Sequence, residues 1–288
     1  MTGQLVDVGG TRLFVEMRGP ADAFPVIVLH GGPGLDHHEF ADYLDPLTDR
    51  YRLLLVDQRA QGRSDRDSDP STWTLETMAD DVSRLAARLG LGEYAVLGHS
   101  FGAFVALQHA CDAPGASLGS VISSGVPSMR FFDDLDDRLA AFEPVELREQ
   151  VTASWAREAG VTTADECALL MHDQNPWHFA DPRDPRIALY EAKTAATVYS
   201  PEVLRAFSGP DVVGIEVEDR LGEVTQPLLV LAGRHDRTCP PEASEVIAAG
   251  VRDGRCVTFE ASGHMTFVEE PQAYVNTVRD FLDGLLRP

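Results

Sequence analysis

The chain has 288 residues, 44% of them hydrophobic, and a formal net charge of −22 from 46 acidic against 24 basic residues. That length allows one large core, with about three quarters of the unfolded surface removed from water. The charge excludes nucleic acids and anionic membranes as expected partners, because both repel so acidic a surface.

No apolar run approaches about 18 residues, and the N-terminus has no basic start followed by an apolar stretch, so neither a membrane span nor a signal peptide is expected. Cys111, Cys167, Cys239 and Cys256 are scattered without a C-x-x-C pair, which fits reduced thiols in a cytoplasm.

Taken in chain order, Gln4 to Val8 and Arg12 to Met17, joined at Gly9-Gly10, predict an antiparallel hairpin at a sheet edge. The apolar run Val26-Ile27-Val28-Leu29 then enters His30-Gly31-Gly32-Pro33-Gly34, a buried strand ending in a glycine-rich loop. Backbone N–H groups in such a loop are unshielded and can bind an oxyanion, with Gly31 the first choice and Gly32 the next. Gly32-Pro33 is a candidate cis peptide. His37-His38-Glu39 follows without the H-E-x-x-H spacing of a zinc site, so no metal is expected there. Leu75, Met78, Val82, Leu85 and Leu89 recur at spacings of three and four and predict a helix.

Tyr94-Ala95-Val96-Leu97 is a short apolar strand, followed by Gly98-His99-Ser100-Phe101-Gly102 and then a helical pattern from Phe104 to Ala110. A strand-to-helix turn this tight strains the backbone at its apex and needs glycine where chains approach. It would lift the Ser100 hydroxyl out of the sheet and aim the Phe101 N–H at charge developing on a substrate.

Between Ser124 and about Glu223 the strand–helix rhythm stops and acidic and aromatic residues accumulate, which predicts a helical cap over residues 125–223 inserted into a core of 1–124 and 224–288. Its aromatics, Phe131, Phe132, Phe142, Trp155, Trp177, Phe179, Tyr190, Tyr199 and Phe207, are assigned for about two thirds to the cap's own core and otherwise to a pocket. Asp133 to Asp137 reads as a solvated helix start, not a calcium loop.

The strand Leu228 to Ala232 turns through Gly233-Arg234-His235-Asp236, and the strand Cys256 to Glu260 leads into Ala261-Ser262-Gly263-His264. On adjacent parallel strands, Asp236 and His264 reach one sheet edge beside Ser100, which supplies an orienting acid, a base and a nucleophile in chain order Ser, Asp, His. The alternation of strands and helices predicts an α/β fold with a mostly parallel sheet.

H-G-G-P-G at 30–34, Asp57-Gln58-Arg59 with Gly62-Arg63-Ser64, G-x-S-x-G at 98–102, Gly-x-x-Asp at 233–236 and Gly-His at 263–264 together resemble the proline iminopeptidase branch of the α/β-hydrolases, over nearly the whole chain. The resemblance implies Ser100 as nucleophile, His264 as base, Asp236 as its acid, Gly31 and Phe101 as oxyanion donors, and no cofactor. Iminopeptidases of this family hold the substrate amine with glutamates at places that read Asp211-Val212 and Arg237 here. Asp211, Glu191, Glu216 and Glu218 are the alternatives at shifted positions. Losing the partner of an ammonium costs roughly 2–5 kcal/mol. The expectation is therefore a serine hydrolase for a small ester, lactone or amide that prefers neutral or anionic acyl groups. The alternatives are a prolyl aminopeptidase acting on short peptides and a hydrolase-shaped binding protein without turnover. Ala60 and Ala103 stand where relatives often have glycine, changes small enough to be tolerated.

Overall fold

In the computed structural model, residues 2–208 and 214–287 are described. Eight strands form one sheet: β1 (Thr2–Asp7), β2 (Arg12–Arg18), β3 (Phe24–Leu29), β4 (Tyr51–Val56), β5 (Ala95–His99), β6 (Gly119–Ser123), β7 (Leu228–Gly233) and β8 (Gly254–Phe259). Their order is β1-β2-β4-β3-β5-β6-β7-β8. β1 and β2 form the edge hairpin in antiparallel register, Asp7 opposite Arg12, and β2 is antiparallel to β4. Every other neighbouring pair is parallel.

Both faces of the central strands are buried, which is why they read as unbroken apolar runs. Side chains alternate between two cores: Ile27, Leu29, Val96 and Val230 face one, and Val26, Val28, Leu97 and Leu229 the other. The first core is closed by α1 (Leu75–Arg88) and α2 (Phe101–Asp112), through residues such as Met78, Leu85 and Val105. Thr74 caps α1 by accepting the Thr77 N–H at 3.2 Å.

Between β6 and β7 the chain forms α3 (Leu135–Ala140), α4 (Val145–Arg157), α5 (Ala164–His178), α6 (Arg186–Thr194) and α7 (Pro201–Ser208). Among the described residues no named strand interrupts them, and a single bridge joins Ser128 to Glu216. α8 (Pro241–Gly250) closes the first core. α9 (Thr266–Glu269) and α10 (Pro271–Leu285) close the second with Phe267, Tyr274 and Val278. No described helix is long and apolar enough to cross a membrane.

Candidate active site

Ser100 stands between β5 and α2 at φ 53°, ψ −119°, a left-handed conformation that an L residue adopts only under constraint. The constraint is close packing on both sides: a Cβ on Gly98 would strike the Gly102 carbonyl, and one on Gly102 would strike the Leu29 carbonyl of β3. The Ser100 N–H is held by the Ser123 carbonyl at 2.9 Å. Ser100 and Phe101 both line a cavity of about 810 Å3.

Asp236 and His264 leave the C-terminal ends of β7 and β8, which pair in parallel from Leu228 opposite Gly254 to Gly233 opposite Phe259. The two loops interlock, because a Cβ on Gly233 would occupy the Gly263 carbonyl. Asp236 is buried; its Oδ1 accepts the N–H groups of Thr238 and Cys239 at 2.8 and 2.9 Å, and its Oδ2 lies 2.8 Å from His264 Nδ1. Burial pushes the His264 pKa down, but the Asp236 carboxylate more than offsets this and holds it above the ordinary imidazole value. With Nδ1 committed to the aspartate, Nε2 is the nitrogen left for the cavity, which His264 lines together with Ser100.

The glycine loop differs from expectation in one respect. The Gly31 N–H donates to Glu39 Oε2 at 2.6 Å and Gly31 does not line the cavity, whereas Gly32 does. The loop's shape is fixed by His30, whose Nδ1 lies 2.8 Å from the Gly31 carbonyl while Nε2 accepts the Gln58 N–H at 3.2 Å. Gly32 has φ 105°, and the Gly32–Pro33 peptide is cis. Glu39, weighed in the sequence only as part of a metal site, is a functional candidate; its spacing from H-G-G-P-G carries no periodic signal, and the turn it sits in is buried beneath α6.

Arg237, expected near the substrate, does not line the cavity among the described residues. Its guanidinium donates to the carbonyls of Trp177, Phe179 and Ala180 at 2.7 to 3.1 Å, and so fastens the end of α5. A planar five-donor fork satisfies several carbonyls at once, a use no neighbouring sequence signal announces. Asp211 and Val212 lie outside the described residues. Of the alternative carboxylates, Glu191 lines the cavity and accepts from Asn175 Nδ2 at 2.8 Å. Glu218 is instead paired with Arg130, and Glu216 Oε1 accepts the Met129 N–H.

Five of the nine cap aromatics, Phe132, Trp155, Tyr190, Tyr199 and Phe207, line the cavity, more than the expected third. The lining also holds four carboxylates, Glu39, Asp136, Glu158 and Glu191, and among the described residues no lysine or arginine. Glu158 accepts from Gln174 Nε2 at 2.7 Å, and burial raises its pKa. Of the two residues behind the expectation of anionic acyl groups, Val212 lies outside the described residues and the Arg237 guanidinium is directed at the end of α5.

Asp36, His37 and His38 offer ligand atoms within 4.8 Å of one another, close enough to hold a cation. They already serve the scaffold: His38 Nδ1 lies 2.9 Å from Asp36, His37 Nδ1 lies 2.5 Å from Asp57, and Asp36 accepts the Val198 N–H from the cap at 2.9 Å.

The chain is similar to a proline iminopeptidase of Heyndrickxia coagulans, 28% identical over 292 residues and covering 99% of both chains. Among solved structures it is similar to the proline iminopeptidase of Mycobacterium smegmatis, with TM-score 0.78, 28% identity, and 99% and 98% of the two chains covered. It shares its fold with an esterase from Exiguobacterium antarcticum, with TM-score 0.74, 22% identity, and 98% and 100% covered. The protein is a proline iminopeptidase-like serine hydrolase. Residues 25–271 match the alpha/beta hydrolase fold, and the chain belongs to that family.

Proposed function

We propose that the protein cleaves a small carboxylic ester, lactone or amide through an acyl-enzyme on Ser100, with residues 125–223 acting as a cap over a core of 1–124 and 224–288. The observation that carries this is the strained Ser100 elbow opening onto the same cavity as the hydrogen-bonded Asp236–His264 pair. His264 Nε2 takes the Ser100 proton as Oγ attacks the acyl carbon, and Asp236 holds the imidazole in the tautomer that can do so. The oxyanion is received by the N–H groups of Phe101 and Gly32, the second replacing Gly31, whose N–H is occupied. His264 then gives its proton to the leaving alcohol or amine. Water attacks the acyl-enzyme with His264 again as base, releasing the acid and restoring the serine. The chemistry needs no cofactor. The scattered cysteines, three of them buried thiols, support a reducing compartment, the cytoplasm.

The acidic lining supports neutral or cationic acyl groups over anionic ones. It also favours prolyl aminopeptidase activity as the second reading, with Glu158 and Glu191 offered to an ammonium in place of the family's positions. The test is a substrate panel crossing ester with amide and free with blocked amine, alongside fluorophosphonate labelling of the wild type and Ser100→Ala. Labelling is expected only in the wild type, and neutral or cationic acyl groups should exceed anionic isosteres by at least about tenfold in kcat/KM. A free prolyl amine favoured over its acylated form by more than about 30-fold, roughly 2 kcal/mol, would make the aminopeptidase reading the right one.

A further inference from the structure

Glu39 is a buried acid that the hydrolytic cycle above does not use. It lies in a 3-10 turn over His37–Phe40, started by Asp36, whose side chain accepts the His38 N–H at 3.0 Å. A Cβ on Gly31 would meet Glu39 Oε1 at 2.6 Å and the Ser100 Cβ at 3.0 Å, so the acid and the nucleophile flank the same glycine. Glu39 Oε2 takes the Gly31 N–H, and among the described residues no hydrogen bond reaches Oε1, in a residue that lines the cavity.

We propose, building on the serine-hydrolase reading, that Glu39 is a positioning residue of the oxyanion loop: by occupying the Gly31 N–H it leaves the Gly32 N–H for the acyl oxygen, and its own charge governs how much negative charge that oxygen can carry. The neutral acid fulfils both parts. The ionised form keeps the hydrogen bond but sets a second negative charge, on a buried side chain, beside the developing oxyanion, where like charges repel.

The surroundings support the neutral form at pH 7. Burial pushes the Glu39 pKa up to about 8, with the Gly31 N–H and His264 pulling the other way and Asp36 adding to the rise. The nearest basic atom, His99 Nε2 of β5, is 3.9 Å away, and burial keeps that imidazole's pKa well below its ordinary value, so it supplies no cation. Tyr190 from α6 and Tyr274 from α10 lie within electrostatic reach of Glu39, and both are phenols held neutral by burial. Among these groups only His264 gains a positive charge in the cycle. The sign follows: below about pH 8 Glu39 is protonated and the oxyanion is unopposed, and as the pH rises through about 8 the charge appears and turnover falls.

The test is kcat/KM on a neutral ester, with the fluorophosphonate labelling rate measured in parallel, for wild type, Glu39→Gln and Glu39→Ala. The readout is the ratio of activity at pH 9.5 to that at pH 7, in which any loss common to both pH values cancels. The wild-type ratio should be 0.1 or lower, within about a factor of three. Glu39→Gln keeps an acceptor for the Gly31 N–H but cannot ionise, and its ratio should rise to one or above, because His264, held above the ordinary imidazole value, gives up its remaining proton over the same range. Glu39→Ala should also lose the alkaline fall, with kcat falling roughly 10²-fold below that of Glu39→Gln at similar KM, because the loop is no longer held. A flat wild-type ratio with unchanged thermal stability overturns the proposal, as does a Glu39→Gln variant that keeps the wild-type fall. Should the variants not fold, the wild-type profile alone decides. Absence of labelling at every pH would strike the serine mechanism itself and this proposal with it, whereas labelling without an alkaline fall strikes only the proposal.

Discussion

Ser100 holds its left-handed backbone at a cost of roughly 1–2 kcal/mol, a strain tolerated where the surrounding packing over-determines it. Replacing Ser100 with alanine should lower turnover at least about 10³-fold. Its melting temperature should stay near that of the wild type, since the elbow is set by Gly98 and Gly102 and not by the hydroxyl. Asp236→Asn should cost about 10³ to 10⁴, because the amide favours the wrong imidazole tautomer while preserving the contacts to Thr238 and Cys239. A loss below tenfold would mean another acid orients His264. These three residues are legible in the sequence because each stands just beyond an apolar strand, so chain order alone brings them to one sheet edge. That the Gly31 N–H is taken by Glu39 is not legible. Glu39 is an acid whose burial is created by helices far along the chain, and a lone glutamate after a loop looks solvated until those helices are placed. Ala60 teaches the same lesson on a smaller scale: it sits at φ 59°, so a change that looks merely small carries a backbone cost of about 1 kcal/mol.

At the scale of elements, the elbow and the end of α5 are each fixed by contacts that can be broken singly. Gly102→Ala drives a methyl group into the Leu29 and His30 carbonyl oxygens and should destabilise by at least about 3 kcal/mol, whereas Gly284→Ala, in α10 with open space around it, should be neutral or stabilise by about 0.5 kcal/mol. Equal effects in denaturant unfolding would show that the strand–helix contact is looser than described. The end of α5 is gripped three ways: Arg237 holds three carbonyls, the His264 N–H takes the His178 carbonyl at 2.7 Å, and Glu269 accepts the N–H groups of Ala180 and Gly263 at 2.8 Å each. Arg237→Glu should therefore cost about 2–4 kcal/mol of stability without creating any preference for a free amine. An amine preference gained without loss of stability would place that side chain in the substrate's path after all. The helices between β6 and β7 are legible because the strand rhythm stops there, but which aromatics face inward is not. Each of α4 to α7 carries a single one of these rings, so the helix's apolar stripe does not say whether that ring meets the core or the cavity.

At the scale of the whole molecule, the charge of −22 and the cavity's acidic side chains other than the neutral Glu39 act in the same direction. A surface field of this sign concentrates cations near the mouth, where Asp136 is exposed, and an acidic wall then receives them inside. Salt separates the two contributions, because the screening length shrinks from about 30 Å at 0.01 M to about 8 Å at 0.15 M, which removes the long-range field but barely touches groups buried in the wall. For three isosteric esters whose acyl groups carry positive, zero and negative charge, raising salt over that range should lower kcat/KM for the cation by roughly threefold to tenfold. The neutral ester should stay within about 1.5-fold, and the anion should gain. The cation should keep an advantage over the anion at high salt, since Glu158 and Glu191 remain within the cavity after the outer field is screened. If all three substrates respond alike, the field does not reach the reacting site. If the advantage vanishes entirely at high salt, the carboxylates of the cap wall do not face the acyl group, and the substrate lies along the apolar side formed by Phe104, Phe132 and Phe207.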